Sequence, residues 1–434
     1  LYERQVKPLG ALLIAAVVLL LLNPRWMWDV GFQLSFLATL GLLVTVPPIM
    51  KRLDWLPTPL ASEIAVPLAA MVWTLPLQLQ VFSQLAPYSI VVNAITSIII
   101  SPITIGGFIS GVAALVWPVA GSALAGLLYY PLQLLMAIVK FFSELPGSAV
   151  ATGTLSLIQL LLLYGAVMMV WLVPWWHRGR RWVLMMLFAV GLVVVPVLQA
   201  QATIFQVTIL DAGGAAVLVA EDKGEVTVIS SGDENTALYT VMPFLRQRAI
   251  NQIDWGIAPT GIGPRSGWYL LLNKLGVTNL ASPQPPSASL QSVLDEMPIA
   301  YQKLEMGKEA QFGLVGVKLV NDTLPVMQLQ IGDKSWLWLG NLNISEQSKL
   351  LQGGNLPQAD VLWWSGNQLA MELLQVVGPS VAIASNSPDQ ETLAHLAAVS
   401  TIIYSSAEEG TIKWTPDGGF ATNLEKMENS DPLF

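Results

Sequence analysis

Residues 88–116 read YSIVVNAITSIIISPITIGGFISGVAALV, 29 positions without one Asp, Glu, Lys, Arg or His. Reading outward, the nearest ionisable residues are Glu63 and Lys140, so 76 consecutive positions (64–139) carry none. No soluble core helix needs so long an uncharged neighbourhood. A bilayer span needs about 20 largely apolar residues, and this gap has room for three. A second gap covers 145–176. Over the whole chain 53% of residues are hydrophobic and 12% charged, where soluble domains carry about 25% charged residues. These observations predict a polytopic α-helical membrane domain of about seven spans, at 9–22, 30–46, 64–82, 88–116, 119–142, 155–175 and 182–198. The fourth is too long for one straight helix, and Pro102 with Gly106-Gly107 marks it as the broken one, a form tolerated where it lines a cavity or packs inside protein.

Charge divides the chain. Residues 1–200 carry 9 Lys/Arg and 5 Asp/Glu, a net of +4, and the remainder 12 and 24, a net of −12. The acidic half is a poor surface for phosphate-driven nucleic-acid binding, which relies on Lys and Arg. Basic residues cluster at Arg4/Lys7, at Lys51/Arg52 and at His177-Arg178-Arg180-Arg181. Placing these loops in the cytoplasm sends residues beyond about 201 outside. Trp26, Trp28, Trp55, Trp117, Trp175, Trp176 and Trp182 fall near span ends, where interfacial aromatics gather. There is no cysteine, which excludes disulfides, thiolate nucleophiles and Cys-metal sites. The first residue is Leu and no signal peptide precedes the first apolar run, so the chain reads as lacking an N-terminal region.

Beyond residue 200 the pattern changes to short β-rich runs with turn signals. Strands are expected at 204–210, 216–220, 226–230, 253–258, 313–319, 328–331, 336–339, 361–364, 381–384 and 401–404. Helices are expected at 238–249, 345–352, 367–377 and 389–398, and a Pro/Ser-rich loop at 282–289. The expected organisation is a membrane domain at 1–200, an α/β soluble domain at 201–422 and a disordered tail at 423–434.

Within 88–104, Ser89, Asn93, Thr96, Ser97, Ser101 and Thr104 fall in an arc of roughly 140° of one helix, at 100° per residue. Two readings compete: helix–helix packing through small polar residues, or the lining of a wet passage. Asn93 is the sharper candidate, since an amide costs most to bury unsatisfied. Gln78, Gln80 and Gln84 follow Pro76; they face water or one another, or the span ends before them. Asp29 and Gln33 stand one turn apart at the start of the second span, where Asp29 can also serve as an N-cap. Glu63 reads as a helix-start carboxylate. His395 reads as an exposed or half-buried helix residue.

Asn23-Pro24 followed by Asp29-Val30-Gly31-Phe32-Gln33-Leu34-Ser35-Phe36 resembles the signature of the ComEC competence family, the inner-membrane channel for incoming DNA in natural transformation. Leu75-Pro76, Phe82, Ser89, Asn93 and Pro102 are similar to that family's next membrane signature. The later half resembles its metallo-β-lactamase-like αββα domain, with Val207-Thr208-Ile209-Leu210-Asp211-Ala212-Gly213 as the first strand motif and Val241 to Arg246 as the helix before the metal loop. There the likeness ends. Where the family pattern has Thr-His-x-His-x-Asp-His-x-Gly-Gly, this chain has Pro259-Thr260-Gly261-Ile262-Gly263-Pro264-Arg265-Ser266-Gly267-Trp268. The three histidine positions become Thr260, Ile262 and Arg265, and the aspartate becomes Pro264.

The resemblance implies a channel component in the inner (plasma) membrane for single-stranded DNA, with a metal-free domain over the channel mouth. The implied partners are a cytoplasmic DNA translocase, an external DNA receptor and membrane lipid; a homo-oligomer is left open. The lining candidates are Asn93, Ser97, Thr96, Ser101, Ser89, Gln78, Gln33 and Asp29. No catalytic residue, metal or cofactor is expected. A membrane-anchored nuclease and a non-transporting scaffold are the alternatives; divalent-metal-dependent nuclease activity of residues 201–434 favours the first, and normal uptake after deletion of the soluble domain would argue that this domain is dispensable.

Overall fold

The structure is a computed structural model and describes residues 8–173, 175, 181–321, 323–354 and 356–422. The expected tail at 423–434, and Arg4, Lys7, Trp176, His177, Arg178 and Arg180, lie outside the described residues. The chain divides into two compact units, Leu1–Val195 and Pro196–Phe434.

The first unit is helical: α1 (Pro8–Leu22), α2 (Val30–Met50), α3 (Thr58–Phe82), α4 (Ser89–Val116), α5 (Pro118–Leu127), α6 (Tyr129–Glu144), α7 (Leu157–Leu172) and α8 (Trp182–Thr203), the last running on into the second unit. Among the described residues, counting α5 and α6 together, five helices are long and apolar enough to cross a membrane; α1, at 15 residues, and α7, at 16, are shorter. The expected break in α4 is absent. It runs unbroken for 28 residues through Pro102, about 42 Å at 1.5 Å per residue. The proline removes one backbone donor, and the hydroxyls of Ser101 and Thr104 bond to the carbonyls of Ser97 and Ile100 on either side. The interruption comes instead at Leu128, between α5 and α6.

The best-packed part of this unit is the seam of α2 and α3. Ala61, Ala65, Ala69 and Trp73 recur every fourth residue and are all buried, a spacing that lines one helix face. Small side chains there let two backbones approach closely. A Cβ on Gly41 would lie 2.7 Å from the Ala69 carbonyl oxygen and 2.7 Å from the Trp73 ring. Trp73 donates its indole N–H to Thr45 Oγ1 at 2.9 Å, and its carbonyl accepts the Tyr164 hydroxyl of α7 at 3.2 Å. A two-residue ladder of β1 (Gln84–Leu85) on β2 (Val150–Ala151) joins the loop after α3 to that before α7.

The second unit is a four-layer sandwich. One sheet has the order β17-β16-β3-β4-β5-β6-β7-β8: β3 (Phe205–Leu210), β4 (Val217–Asp222), β5 (Glu225–Ile229), β6 (Gln252–Ile257), β7 (Gly276–Ser282), β8 (Ala300–Lys303), β16 (Ile412–Thr415) and β17 (Gly419–Thr422). The other has the order β15-β14-β13-β12-β11-β10-β9: β9 (Glu309–Phe312), β10 (Val315–Asn321), β11 (Val326–Ile331), β12 (Lys334–Leu339), β13 (Val361–Trp364), β14 (Val381–Ala384) and β15 (Ile402–Ser405). Val207, Ile209 and Leu218 of the first sheet share one buried cluster with Trp336, Trp338 and Trp363 of the second.

Alternation along the strands builds the layers. Trp336 and Trp338 point between the sheets, while Leu337 and Leu339 point to the outer face. The outer face of the second sheet carries α13 (Ile344–Gln352), α14 (Met371–Val377) and α15 (Gln390–Ala398). That of the first carries α9 (Glu234–Thr236), a π-helical turn (Ala237–Val241), α10 (Met242–Gln247), α11 (Trp268–Lys274) and α12 (Ala288–Glu296). The loop expected at 282–289 is shorter than the sequence indicates, because Ser287 accepts the Leu290 amide and starts α12. The helix expected at 238–249 ends at Gln247, with Ala249 in the left-handed region.

Candidate functional site

The site candidates of the first unit centre on α4. Thr96 is buried, and its hydroxyl bonds to its own helix at the Val92 carbonyl, 2.7 Å away. Ser97 is half-buried and reaches across to α3, donating its hydroxyl to the Glu63 carboxylate. Ser101 and Thr104 are exposed and bond back to carbonyls four residues earlier. Hydroxyls bonded this way are neutralised by their own helix and need no water. Asn93 is exposed, and its amide has no hydrogen-bond partner among the described residues. Farther along the same face a Cβ on Gly107 or Gly111 would meet nothing within 4 Å. Asn93, Thr104, Gly107 and Gly111 therefore share an uncovered face of α4 with the exposed Ile100, and the amide without a partner stands near its start.

The other candidates have local partners. Asp29 Oδ1 accepts the Phe32 amide at 2.7 Å and caps α2. Gln33 donates to the Met27 carbonyl at 2.7 Å. Gln78 donates to Thr74 Oγ1 on its own helix at 3.0 Å, and α3 continues past Gln78 and Gln80 to Phe82, leaving Gln84 in β1. Ser89, half-buried, opens α4. The structure thus joins Ser97 to Glu63 and leaves Asp29, Gln33 and Gln78 in local bonds. The sequence reading took Glu63 for a helix-start carboxylate and missed its bond to Ser97. It lies in the second turn of α3 rather than at its cap, and its signal was that it bounds the 76-residue uncharged stretch at 64–139.

In the second unit β3, β5, β6, β12, β13 and β14 all end on one edge. Asp211, exposed, follows β3. Gly214 takes φ +91°, and a Cβ there would fall 2.6 Å from the Asn386 side chain; a Cβ on Gly366 would fall 2.8 Å from the same asparagine. Asn367 donates to Asn341. The segment Pro259 to Gly267 is pinned to the loop after β5 by Gly267 N–H on the Gly232 carbonyl, 2.9 Å, and Glu234 N–H on that of Arg265, 3.2 Å. Thr260, Pro264 and Arg265 are exposed, and Ile262 packs against the outer cluster. A catalytic zinc centre takes about three nitrogen, sulfur or carboxylate ligands. At these positions the loop offers a hydroxyl, an aliphatic chain, a proline ring and a guanidinium, a donor set that does not fit such a metal. His395, half-buried on α15, bonds through Nδ1 to the Leu369 carbonyl at 3.0 Å.

Among solved structures, the metallo-beta-lactamase fold protein YhfI from Bacillus subtilis is 8% identical with a TM-score of 0.36, covering 48% of this chain and 99% of its own. Zn(2+)-bound PqqB from Methylobacterium extorquens is 8% identical with a TM-score of 0.31, covering 48% and 99%. Tm1679, described as a metal-dependent hydrolase of the beta-lactamase superfamily, is 9% identical with a TM-score of 0.33, covering 49% and 99%. No curated protein matches the chain. A family model described as competence protein matches residues 1–178, a span that contains the Asp29 to Phe36 string and all of α4.

Proposed function

We propose that the first unit is an inner-membrane channel component that passes single-stranded DNA during natural transformation, and that the second unit is an extracytoplasmic, metal-free domain. The single observation that carries this reading is the outer face of α4. Asn93, Thr104, Gly107 and Gly111 lie along it without cover, and the Asn93 side chain has no hydrogen-bond partner among the described residues. A polar amide facing hydrocarbon is costly, so the strip faces water or other polar groups. Neutral donors and acceptors suit a moving polyanion, because they offer hydrogen bonds without a charge that would trap it. No Gly-rich nucleotide loop of the Walker type is present in the sequence, so the driving energy comes from a cytoplasmic translocase, and the DNA from an external receptor.

The test is uptake of labelled DNA in a transformable host whose own protein is replaced by this one. Asn93→Leu together with Ser97→Leu is expected to abolish uptake while the protein stays in the membrane at normal level. Gly111→Leu, which fills open space, is expected to lower uptake without loss of folded protein. Unchanged uptake in both removes α4 from the pathway. Divalent-metal-dependent cleavage of DNA by the purified protein would overturn the metal-free assignment.

A further inference from the structure

The chain enters the sandwich at one end. The apolar part of α8 finishes at Leu198, and Gln201 follows three residues later, about 5 Å along a helix. The headgroup layer beyond the hydrocarbon is itself about 5–8 Å deep on each side. Gln201 already belongs to the second unit: its side chain donates to the Ala249 carbonyl at 3.2 Å. Three residues on, the Ile204 carbonyl accepts the Lys223 amide at 3.0 Å, and a Cβ on Gly224 would sit 3.7 Å from the Gln201 carbonyl. The turn after β4 and the loop before β6 are thereby held to the helix end.

Parallel pairing extends this edge across the sheet. Gln252 of β6 pairs with Gly276 of β7, so Lys274, at the end of α11, lies on the same side. A Cβ on Gly332, at the start of β12, would be 3.6 Å from the Phe205 ring at the start of β3, so the second sheet begins at this edge too. The opposite edge carries Asp211, Gly214, Thr260, Gly366 and Asn386, one β3 length away, about 20 Å at 3.3 Å per residue. Exposed Lys223 and Lys274 and half-buried Arg246 share the first edge with Asp222 and Glu225. Such mixed charge suits headgroups that carry both phosphate and amine.

We infer that the strand-start edge of the second unit rests in the phospholipid headgroup layer, and that its glycine- and asparagine-lined strand-end edge opens away from the bilayer. This rests on α8 crossing the membrane and not on DNA transport.

The absence of cysteine makes the test direct. Single variants Lys223→Cys, Lys274→Cys, Asp211→Cys and Thr260→Cys of the full chain are labelled with an environment-sensitive fluorophore and reconstituted in phosphatidylcholine vesicles. A fraction of the lipid carries a quencher on its headgroup. Labels at 223 and 274 are expected to shift to the blue and lose emission when the quencher lipid is present. Labels at 211 and 260 are expected to emit as they do without it. Equal quenching at the two edges, quenching confined to 211 and 260, or quenching at no position would each overturn the inference. The two labels on each edge guard against one variant folding poorly.

Discussion

The α2–α3 seam and the outer face of α4 are built from similar residues and end differently. At the seam, Gly41 and the alanines of α3 bring two helices so close that one added carbon would overlap a carbonyl and an indole. On α4, Gly107 and Gly111 meet nothing, and Asn93 points outward. Small residues in membrane helices therefore carry no single meaning. Their role depends on whether a neighbour has closed over them, and that depends on bulky, well-anchored partners such as Trp73.

The contrast sets the order of expected effects. Gly41→Leu forces side-chain atoms into the Ala69 carbonyl and the Trp73 ring, and overpacking of this kind costs about 3 kcal/mol or more. The thermal unfolding midpoint of the purified protein in detergent is expected to fall sharply. A midpoint equal to that of the unsubstituted protein would show that the seam is not closed. Gly111→Leu is the matched change on the open face and is expected to leave that midpoint unchanged or raised, since leucine favours a helix over glycine by about 1 kcal/mol.

The sandwich provides an intermediate case. Arg248 holds Glu221 with its Nε at 3.0 Å and its terminal nitrogen at 3.1 Å, and Glu221 is buried. Arg248→Ala strands that carboxylate, at a cost of about 3 kcal/mol for a largely buried pair, and denaturant unfolding of the second unit checks it. Arg248→Met, with Glu221→Leu alongside, is expected to recover much of the loss.

The smallest effect is an acid one. The carboxyl of Asp360, accepting the Ser335 amide and hydroxyl at 2.8 Å each, is held below the ordinary carboxylate range by those bonds. Asp233 and Asp389 are held low by their hydrogen bonds to Thr236 and Thr392 at helix starts. Each is more acidic folded than unfolded, so the unfolded chain takes up protons first as pH falls. Their contribution is complete well above the ordinary aspartate value of about 3.9 and drains away as pH drops through it toward the lowered folded values. Asp360→Asn is expected to flatten the loss of unfolding midpoint in that window; an unaltered pH profile would deny the carboxylate this role.

What could be read from the sequence follows the strength of the apolar signal. Val361 to Trp364 and Val381 to Ala384 stand as strands at their expected limits, because a short apolar run between turn residues is buried on both faces. In the second unit β7, β8, β9, β16 and β17 went unread. Ala300 to Lys303 is largely exposed at a sheet edge and shows no alternation, and Ile412 to Thr415 pairs with β3 from far along the chain. Pro102 and Gly106-Gly107 suggested a break in α4, but hydroxyls at 101 and 104 bond the neighbouring carbonyls; the interruption comes instead at Leu128, between Gly126 and Pro131, where Pro131 has no N–H to give the Leu127 carbonyl. The polar arc on α4 was visible from spacing alone. Its division into self-bonded hydroxyls, one carboxylate partner and one free amide was not, because that division depends on which helix packs where.

The indoles of Trp336, Trp338, Trp363 and Trp414 lie in one slab between the sheets. Their bulk keys the sandwich like the wards of a lock. A slip of β12 by one residue would turn both of its tryptophans outward among the helices and put leucines in a space cut for indoles. Closure of the two sheets is therefore an all-or-nothing alignment, and the blue shift of tryptophan emission serves as its clock as the newly made domain assembles.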